Sequence, residues 1–208
     1  MLIKNFFTFL IGCCFGSFIN VVIYRLPLGE SIVLPGSHCP ECNYKIRWYQ
    51  NIPLISWIFL RGRCVKCNQK ISIIYPIIEL STGILFLLNN YSLNSKLSIG
   101  PQAITTIYGW IFISILLTMA ILDMKYLWLP DIISKFGIIF SIILSVFFQV
   151  RFENLNTNFL IIETILATIL GYLIFKTISA IGFRIYKKPA MGQGDAKLAA
   201  LLGAWLGL

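Results

Sequence analysis

The chain has 208 residues, of which 58% are apolar and 12% charged, and its mean hydropathy is +0.82. Soluble domains carry about 25% charged residues, so this composition excludes an ordinary soluble protein and predicts a polytopic membrane protein. The net charge of +9 is compatible with binding to nucleic acid or anionic lipid. However, the sequence has no basic stripe interleaved with aromatic residues, and its Lys and Arg residues concentrate in loops, as expected of loops that stay in the cytoplasm. We therefore predict the lipid bilayer as a partner and no nucleic acid.

The first apolar segment covers residues 2–24 and is long enough to cross a bilayer. Because no A-x-A-like cleavage site follows it, we interpret it as a retained transmembrane helix rather than a signal peptide. Gly12, Gly16 and Asn20 recur every fourth residue and share one helix face, which favours close helix packing with a polar contact across it. Alternatively, Ser17 and Asn20 line a site.

Residues 25–72 carry seven Lys or Arg residues and are punctuated by Pro and Gly, so they are predicted to form a small cytoplasmic domain. This region contains two C-x-x-C pairs, Cys39–Cys42 and Cys64–Cys67. Four thiolates at this spacing are typical of a structural zinc site, and so small a domain needs a metal to hold it together. His38 as a substitute ligand and redox-active thiols are the alternatives.

Further apolar segments are predicted at 73–90, 104–122, 132–150 and 159–183, and a sixth begins near Asp195. The Lys and Arg residues place the loops 25–72, 123–131 and 184–194 in the cytoplasm and the loops 90–103 and 151–158 outside. Asp131 follows Pro130 and precedes an apolar segment, which favours an N-cap. Glu79 and Glu163 lie within segments and are candidates for a polar network or a proton path; Glu163 lies nearer the outer face.

Two acidic residues, Asp123 and Asp195, are predicted at the same, cytoplasmic face of the membrane. Carboxylates that approach closely share one proton, so that one activates a water as general base and the other polarises a peptide carbonyl. Gly192 and Gly194 leave the backbone free of Cβ atoms, which lets a substrate chain approach. A helix N-terminus favours an anion, so our hypothesis assigns the negative charge to Asp195 and the shared proton to Asp123. Alternatively, each Asp only caps a helix or reaches the membrane interface.

These stretches resemble the prepilin peptidase family, the type IV leader peptidases, which are GxGD intramembrane aspartic proteases. The resemblance runs from the first segment to the end of the chain. It is carried by GSFINVVIYRLP (16–27), HCPEC (38–42), WYQNIP (48–53), RGRCVKC (61–67), YPIIEL (75–80), Asp123 with LPD (129–131), and GQGDAKL (192–198).

The residues and the resemblance together predict an all-α polytopic membrane protein with about six apolar segments and a small cytoplasmic zinc-ribbon-like insert. Residues 1–24 would form the first transmembrane helix, 25–72 the zinc-binding domain and 73–208 the transmembrane peptidase domain. Family members usually continue beyond the GxGD stretch, so we expect this domain to lack C-terminal spans.

The resemblance implies an activity and its partners. The enzyme would remove the basic leader from type IV prepilins or type II secretion pseudopilins, after a glycine that usually precedes phenylalanine. It would act on the prepilin N-terminal helix at the cytoplasmic face of the bacterial inner membrane. Asp123 and Asp195 would be catalytic, Gly192 and Gly194 substrate-binding, and Cys39, Cys42, Cys64 and Cys67 zinc ligands.

The resemblance also implies that the new N-terminus is N-methylated with S-adenosylmethionine, as by many family members. The sequence has no Rossmann-type Gly-rich methyltransferase motif, so this expectation rests on analogy. Gly62, beside Cys64, is a weak candidate for that site. Two other classes of function remain open: a transporter or proton channel that uses the same carboxylates as an ion relay, and a non-catalytic membrane scaffold with a zinc docking module.

Overall fold

The computed structural model describes residues 2–96, 102–151, 158–187 and 192–207, and within these ranges the regular secondary structure consists of helices, without β-strands. The seven α-helices are α1 (Leu2–Arg25), α2 (Ile55–Phe59), α3 (Ile74–Lys96), α4 (Gln102–Tyr126), α5 (Asp131–Arg151), α6 (Asn158–Tyr186) and α7 (Gln193–Leu206). Two 3-10 turns, Leu26–Leu28 and Trp48–Asn51, lie between α1 and α2. The predicted all-α fold is confirmed. Met191 and the basic Lys188, which contributed to the predicted topology, lie outside the described residues.

Three described helices contain segments long and apolar enough to cross a membrane: Leu2–Leu28, Ile104–Tyr126 and Ile161–Ile185. This number is lower than the six apolar segments predicted. Of the other helices, α3 contains polar residues such as Glu79 and Asn90, and α7 has only 14 residues. The chain is thus a multi-span helical membrane protein, with three helices among the described residues that have the length and composition of an independent span.

The chain divides into two compact units, Met1–Thr118 and Met119–Leu208. In the first unit, α1 and α3 pack antiparallel at very short range. A Cβ atom added to Gly12 would lie 2.7 Å from the Gly83 Cα, and one added to Gly16 would lie 2.6 Å from the Glu79 Cα. One turn further along, Asn20 Nδ2 donates a hydrogen bond to the Tyr75 carbonyl at 3.1 Å. The predicted glycine face with a polar contact is therefore confirmed.

In the second unit, small residues bring α6 and α7 together, also antiparallel. A Cβ atom on Gly171 would lie 2.6 Å from the Ala199 carbonyl oxygen, and one on Gly203 would lie 2.3 Å from that of Ala167. Such small residues allow the close backbone approach that membrane helices use for van der Waals packing.

Helix α5 runs in the same direction as α7 and is joined to it by polar contacts. Ser141 Oγ donates to the Ala204 carbonyl at 2.5 Å, and Trp205 Nε1 donates to the Gly137 carbonyl at 3.0 Å. Both bonds are buried, where hydrocarbon offers no competing partner. Helix α7, whose first turn carries Asp195, is therefore fixed along two of its sides.

Candidate functional site

The two C-x-x-C pairs lie on two turns of the same geometry. In the first turn, Cys39 N–H donates to the Tyr44 carbonyl, and Asn43 N–H donates to the Cys39 carbonyl. In the second turn, Cys64 N–H donates to the Gln69 carbonyl, and Asn68 N–H donates to the Cys64 carbonyl. All four bonds are 2.9–3.0 Å long. Each turn is closed by an isolated antiparallel bridge, His38 with Lys45 and Arg63 with Lys70. The residue after each second cysteine is an Asn with positive φ, 52° at Asn43 and 58° at Asn68, a conformation that Asn tolerates better than most side chains. This Asn is a sequence signal that our reasoning missed.

The sulfur atoms of Cys39, Cys42, Cys64 and Cys67 all lie within 4.8 Å of one another and could hold a metal ion. The Cys39–Cys67 and Cys42–Cys64 sulfur pairs are 3.8 and 3.9 Å apart. A tetrahedral site with Zn–S bonds of about 2.3 Å has S···S edges of about 3.8 Å, so the four thiols fit zinc.

Local hydrogen bonding prepares one of these thiols for a metal. Backbone N–H groups of Cys67 and Lys66 lower the pKa of the Cys64 thiol to about 6, which favours the thiolate that metals bind. The alternative ligand His38 has Nδ1 3.0 Å from the Gly36 carbonyl oxygen, and it does not belong to the four-sulfur cluster found among the described residues.

Asp195 lies in the first turn of α7, where its carboxylate closes the start of the helix. Gly192 N–H donates to Asp195 Oδ2 at 3.1 Å, and Asp195 N–H donates back to the Gly192 carbonyl at 3.2 Å. An acidic residue at the third helical position that reaches back to the preceding N–H satisfies a donor which the helix itself leaves unpaired. The carboxylate is therefore held at the positive end of the helix dipole.

Gly194 and Gly192 have different surroundings. A Cβ atom on Gly194 would lie 2.9 Å from Leu129 Cδ1 and 3.0 Å from Leu129 Cβ. Contact within the chain therefore accounts for the small residue at 194. Gly192 is exposed, and a Cβ atom there would meet only Asp195 and Gly194 within 4 Å.

Asp123 lies in the last turn of α4 and is exposed. Its carbonyl accepts a hydrogen bond from Leu127 N–H at 2.8 Å, and Leu127 has φ 49°, the left-handed geometry that ends many helices. The chain then passes through Leu129 and Pro130 into α5.

Two contacts attach this connection to the start of α7. Leu129 lies against Gly194, and the Asp131 carboxylate forms an ion pair with the Lys197 ammonium. Asp131 is the first residue of α5 rather than its N-cap. The sequence predicted its place at the start of the helix but not its ion pair with Lys197 on α7. The hydrogen bond from Lys197, with its charge, lowers the pKa of Asp131 below the usual range. The segments that carry the two candidate aspartates are thus joined by one apolar and one ionic contact.

Two further acids, Glu163 and Glu79, were predicted within apolar segments. A Cβ atom on Gly207 would lie 3.2 Å from Glu163 Oε1, so Glu163 is at the opposite end of α7 from Asp195. Glu79 is in the first unit and is only 8% exposed. Its Oε2 accepts a hydrogen bond from Leu54 N–H at 2.7 Å. The sequence predicted Glu79 as a candidate for a polar network or a proton path, and its hydrogen bond to Leu54 is a polar contact of that kind.

Comparison with known proteins matches both parts of the chain. The model of the bacterial peptidase A24 N-terminal domain matches residues 10–93, and that of the type IV leader peptidase family matches residues 110–208. The chain is 37% identical to the prepilin leader peptidase/N-methyltransferase of Klebsiella pneumoniae, over 97% of this chain and 84% of that protein. It is 35% identical to the protein of the same name from Myxococcus xanthus, over 96% of this chain and 55% of that protein.

A third relative, the type 4 prepilin-like proteins leader peptide-processing enzyme of Escherichia coli, is 32% identical over 94% of this chain and 74% of its own length. The chain therefore spans about half the length of the M. xanthus relative and larger shares of the other two. No solved structure matches it. With curated relatives above 30% identity along nearly the whole chain, and with family models matching residues 10–93 and 110–208, the chain belongs to the type IV leader peptidase family.

Proposed function

We propose that the chain is a prepilin leader peptidase, which hydrolyses the bond between the basic leader and the apolar N-terminal helix of a type IV prepilin or type II secretion pseudopilin. The names of its relatives support the reaction. One observation supports Asp123 and Asp195 as the catalytic residues: Gly194 lies against Leu129. This contact joins the GxGD turn, which contains Asp195, to the chain that follows Asp123.

In this proposal, Asp123 and Asp195 act as one aspartyl dyad with one shared proton. Asp195 is the ionised member, because it lies at a helix N-terminus and accepts the Gly192 N–H. It removes a proton from a water, which attacks the scissile carbonyl, while protonated Asp123 donates a hydrogen bond to that carbonyl oxygen. Gly192, which is exposed, gives the substrate backbone close access to this turn. Gly194 lies against Leu129, so it would contact the substrate through its backbone only.

We assign Cys39, Cys42, Cys64 and Cys67 as the ligands of one structural Zn²⁺. Four thiolates close the coordination shell and leave no position for a water or a substrate, so the metal would supply cohesion rather than chemistry. It would cross-link two turns that are otherwise joined by few hydrogen bonds, within a zinc-binding domain proposed to cover residues 25–72.

The distribution of charge supports an orientation in the bacterial inner membrane. With residues 25–72 and the 123–131 connection in the cytoplasm, both aspartates lie where the leader of a membrane-inserted prepilin is also found. The domain bounds follow from the same topology, with a first helix at 1–24 and a peptidase region at 73–208.

We further propose that the chain N-methylates the terminus released by cleavage, with S-adenosylmethionine as the methyl donor. Two relatives are named as N-methyltransferases, and their names alone support this step.

The test is cleavage of a synthetic prepilin leader peptide by the full chain in detergent or lipid discs. We expect Asp123→Ala and Asp195→Ala each to reduce the rate by on the order of 100-fold or more, because each removes one of the two proton-transfer groups. Glu163→Gln is the matched control, since Glu163 lies at the other end of α7 beside Gly207. Processing at the wild-type rate by both Asp variants would refute the mechanism.

A further inference from the structure

A cavity of about 220 Å³ lies within the first unit, between α1, α3 and the cysteine-containing segment. Its polar wall includes Ser17 and Asn20 from α1 and Glu79 from α3. We call it the Glu79 cavity. The proposed peptidase mechanism does not use it, since Asp123 and Asp195 belong to the second unit.

In the part of the chain that the structure describes, the carboxylate in this wall has no cationic counterpart. Glu79 is 8% exposed; its Oε2 accepts the backbone N–H of Leu54, and the Ser17 side chain also hydrogen-bonds to the carboxylate. Among the described residues, no Lys, Arg or His forms an ion pair with it. Arg25, the buried Arg of the cavity wall, instead donates to the carbonyls of Ser31 and Gly36. Burying a carboxylate without a counter-charge is costly, so the site favours a ligand that brings a positive charge.

The wall beside Glu79 contains a residue with strained backbone. Leu54, which donates to Glu79, has φ 62° and ψ −52°, which is an outlier for a bulky residue. Strain of this kind persists where the surroundings over-determine it, commonly at ligand sites. The cavity wall is therefore held in a conformation that local preferences alone would not give.

Aromatic side chains complete the wall, and they include Tyr24, Tyr44, Trp57 and Tyr75. Trp57 is fixed because its Nε1–H donates to the Ile71 carbonyl at 3.2 Å. The Trp57 ring also packs directly against Gly62, because a Cβ atom at position 62 would lie only 2.8 Å from Trp57 Cζ2. Aromatic rings around a buried carboxylate are the surroundings that recognise organic cations. Gly62, a weak candidate from the sequence, thus acts on this site through Trp57.

We propose that the Glu79 cavity binds the terminal ammonium group of the cleaved pilin helix and that Glu79 is the base for its methylation, an inference that rests on the proposed N-methylation. Glu79 takes one proton from the ammonium and leaves a neutral amine. The amine nitrogen attacks the methyl carbon of a sulfonium donor, so that the N–C bond forms as the C–S bond breaks. The sulfonium leaves as a neutral thioether, and the nitrogen becomes a secondary ammonium.

The first test is binding, with the full zinc-loaded chain and a short apolar peptide that begins with a free-amino phenylalanine. Its matched control is the same peptide with an acetylated N-terminus. We expect wild-type chain to bind the free-amino peptide at least 10-fold more tightly, and Glu79→Gln to lose this preference. The Gln amide oxygen still accepts the Leu54 N–H, so this variant keeps the structural contact; its helical circular dichroism and zinc content confirm folding. Equal binding of the two peptides by wild type would overturn the proposal.

The second test is transfer of radiolabelled methyl groups from S-adenosylmethionine to the same free-amino peptide, which needs no prior cleavage. We expect Glu79→Gln to reduce transfer by on the order of 100-fold, whereas Glu163→Gln transfers at the wild-type rate. Transfer at the wild-type rate by Glu79→Gln would overturn the proposal. A wild-type chain that discriminates the free amine through Glu79 but cleaves no leader would instead contradict the proposed peptidase and leave the amine site standing.

Discussion

The ion pair of Asp131 and Lys197 lies beside both candidate catalytic segments. Lys197 is on the same helix as Asp195, within one turn of it, and Asp131 ends the connection that begins after Asp123. The two side chains are 51% and 30% exposed, respectively, so solvent screens their attraction. Because the pKa of Asp131 is lower in the folded chain than in the unfolded chain, the pair contributes stability above about pH 4 and loses it as the pH falls through the lowered value.

Removal of the Lys197 charge tests this arrangement. We expect Lys197→Gln to raise the pKa of Asp131 toward its ordinary value of about 3.9, because the hydrogen bond and the nearby ammonium are both lost. The measurement is NMR titration of carboxyl-labelled aspartate, with Lys125→Gln as the control because Lys125 is not among the groups that shift Asp131. An unchanged titration of Asp131 in Lys197→Gln would show that the ion pair is not formed in solution.

Residue identity alone did not reveal these partners. The sequence placed Asp131 correctly at the start of a helix, but Lys197 lies 66 residues away and no local pattern joins them. The same holds for Glu79 and Leu54, which are separated by 25 residues. The glycine at 194 was predicted to admit a substrate, whereas the contact with Leu129 gives it a role within the chain as well.

At the scale of helices, the small residues of α6 and α7 set how closely these elements pack. A Cβ atom on Gly203 would lie 2.3 Å from the Ala167 carbonyl oxygen, and a backbone atom cannot move aside without shifting α6. The better helix propensity of Ala is worth about 1 kcal/mol, whereas overpacking of this kind costs about 1–3 kcal/mol or more. The clash should therefore dominate.

We expect Gly203→Ala to lower the free energy of unfolding by roughly 2 kcal/mol, because a clash with backbone costs about 3 kcal/mol, the upper part of that range, and the propensity gain offsets about 1 kcal/mol of it. Unfolding in mixed detergent, followed by circular dichroism, measures it. Gly36→Ala is the control, because a Cβ atom at Gly36 meets nothing within 4 Å. If both variants unfold like the wild type, the close approach of α6 and α7 is incorrect.

The two cysteine turns form an element that, under the zinc assignment proposed above, depends on metal. We expect purified chain to hold about one zinc per molecule, Cys42→Ser to lose most of it, and a chelator to make residues 25–72 sensitive to protease, because little else holds so small a domain together. Cys14→Ser is the matched control, since Cys14 lies in α1 outside the cluster. Full zinc content in Cys42→Ser would exclude the four-cysteine site.

At the scale of the whole molecule, the features that the sequence predicted well are those with a short repeat. Each of these features is defined by residues that are close together in the sequence. They are the helical segments, the glycine face of α1 and the C-x-x-C spacing, and the structure has each of them. The number of spans was predicted less well, because an apolar run does not reveal whether a helix containing Glu79 or Asn90 is shielded by a neighbour. Family membership now favours a peptidase over the transporter and scaffold alternatives.

The two cysteine turns would leave one side of the proposed zinc site more exposed than the other. In each turn the first sulfur is sheltered, with Cys39 and Cys64 only 7% and 8% exposed, whereas Cys42 is partly accessible and Cys67 is open to solvent. An electrophile or a rival soft cation would therefore arrive from the side of Cys42 and Cys67. Damage by oxidants would begin there, while the sheltered pair still tethers both turns, so that a reductant could restore the centre before the domain comes apart.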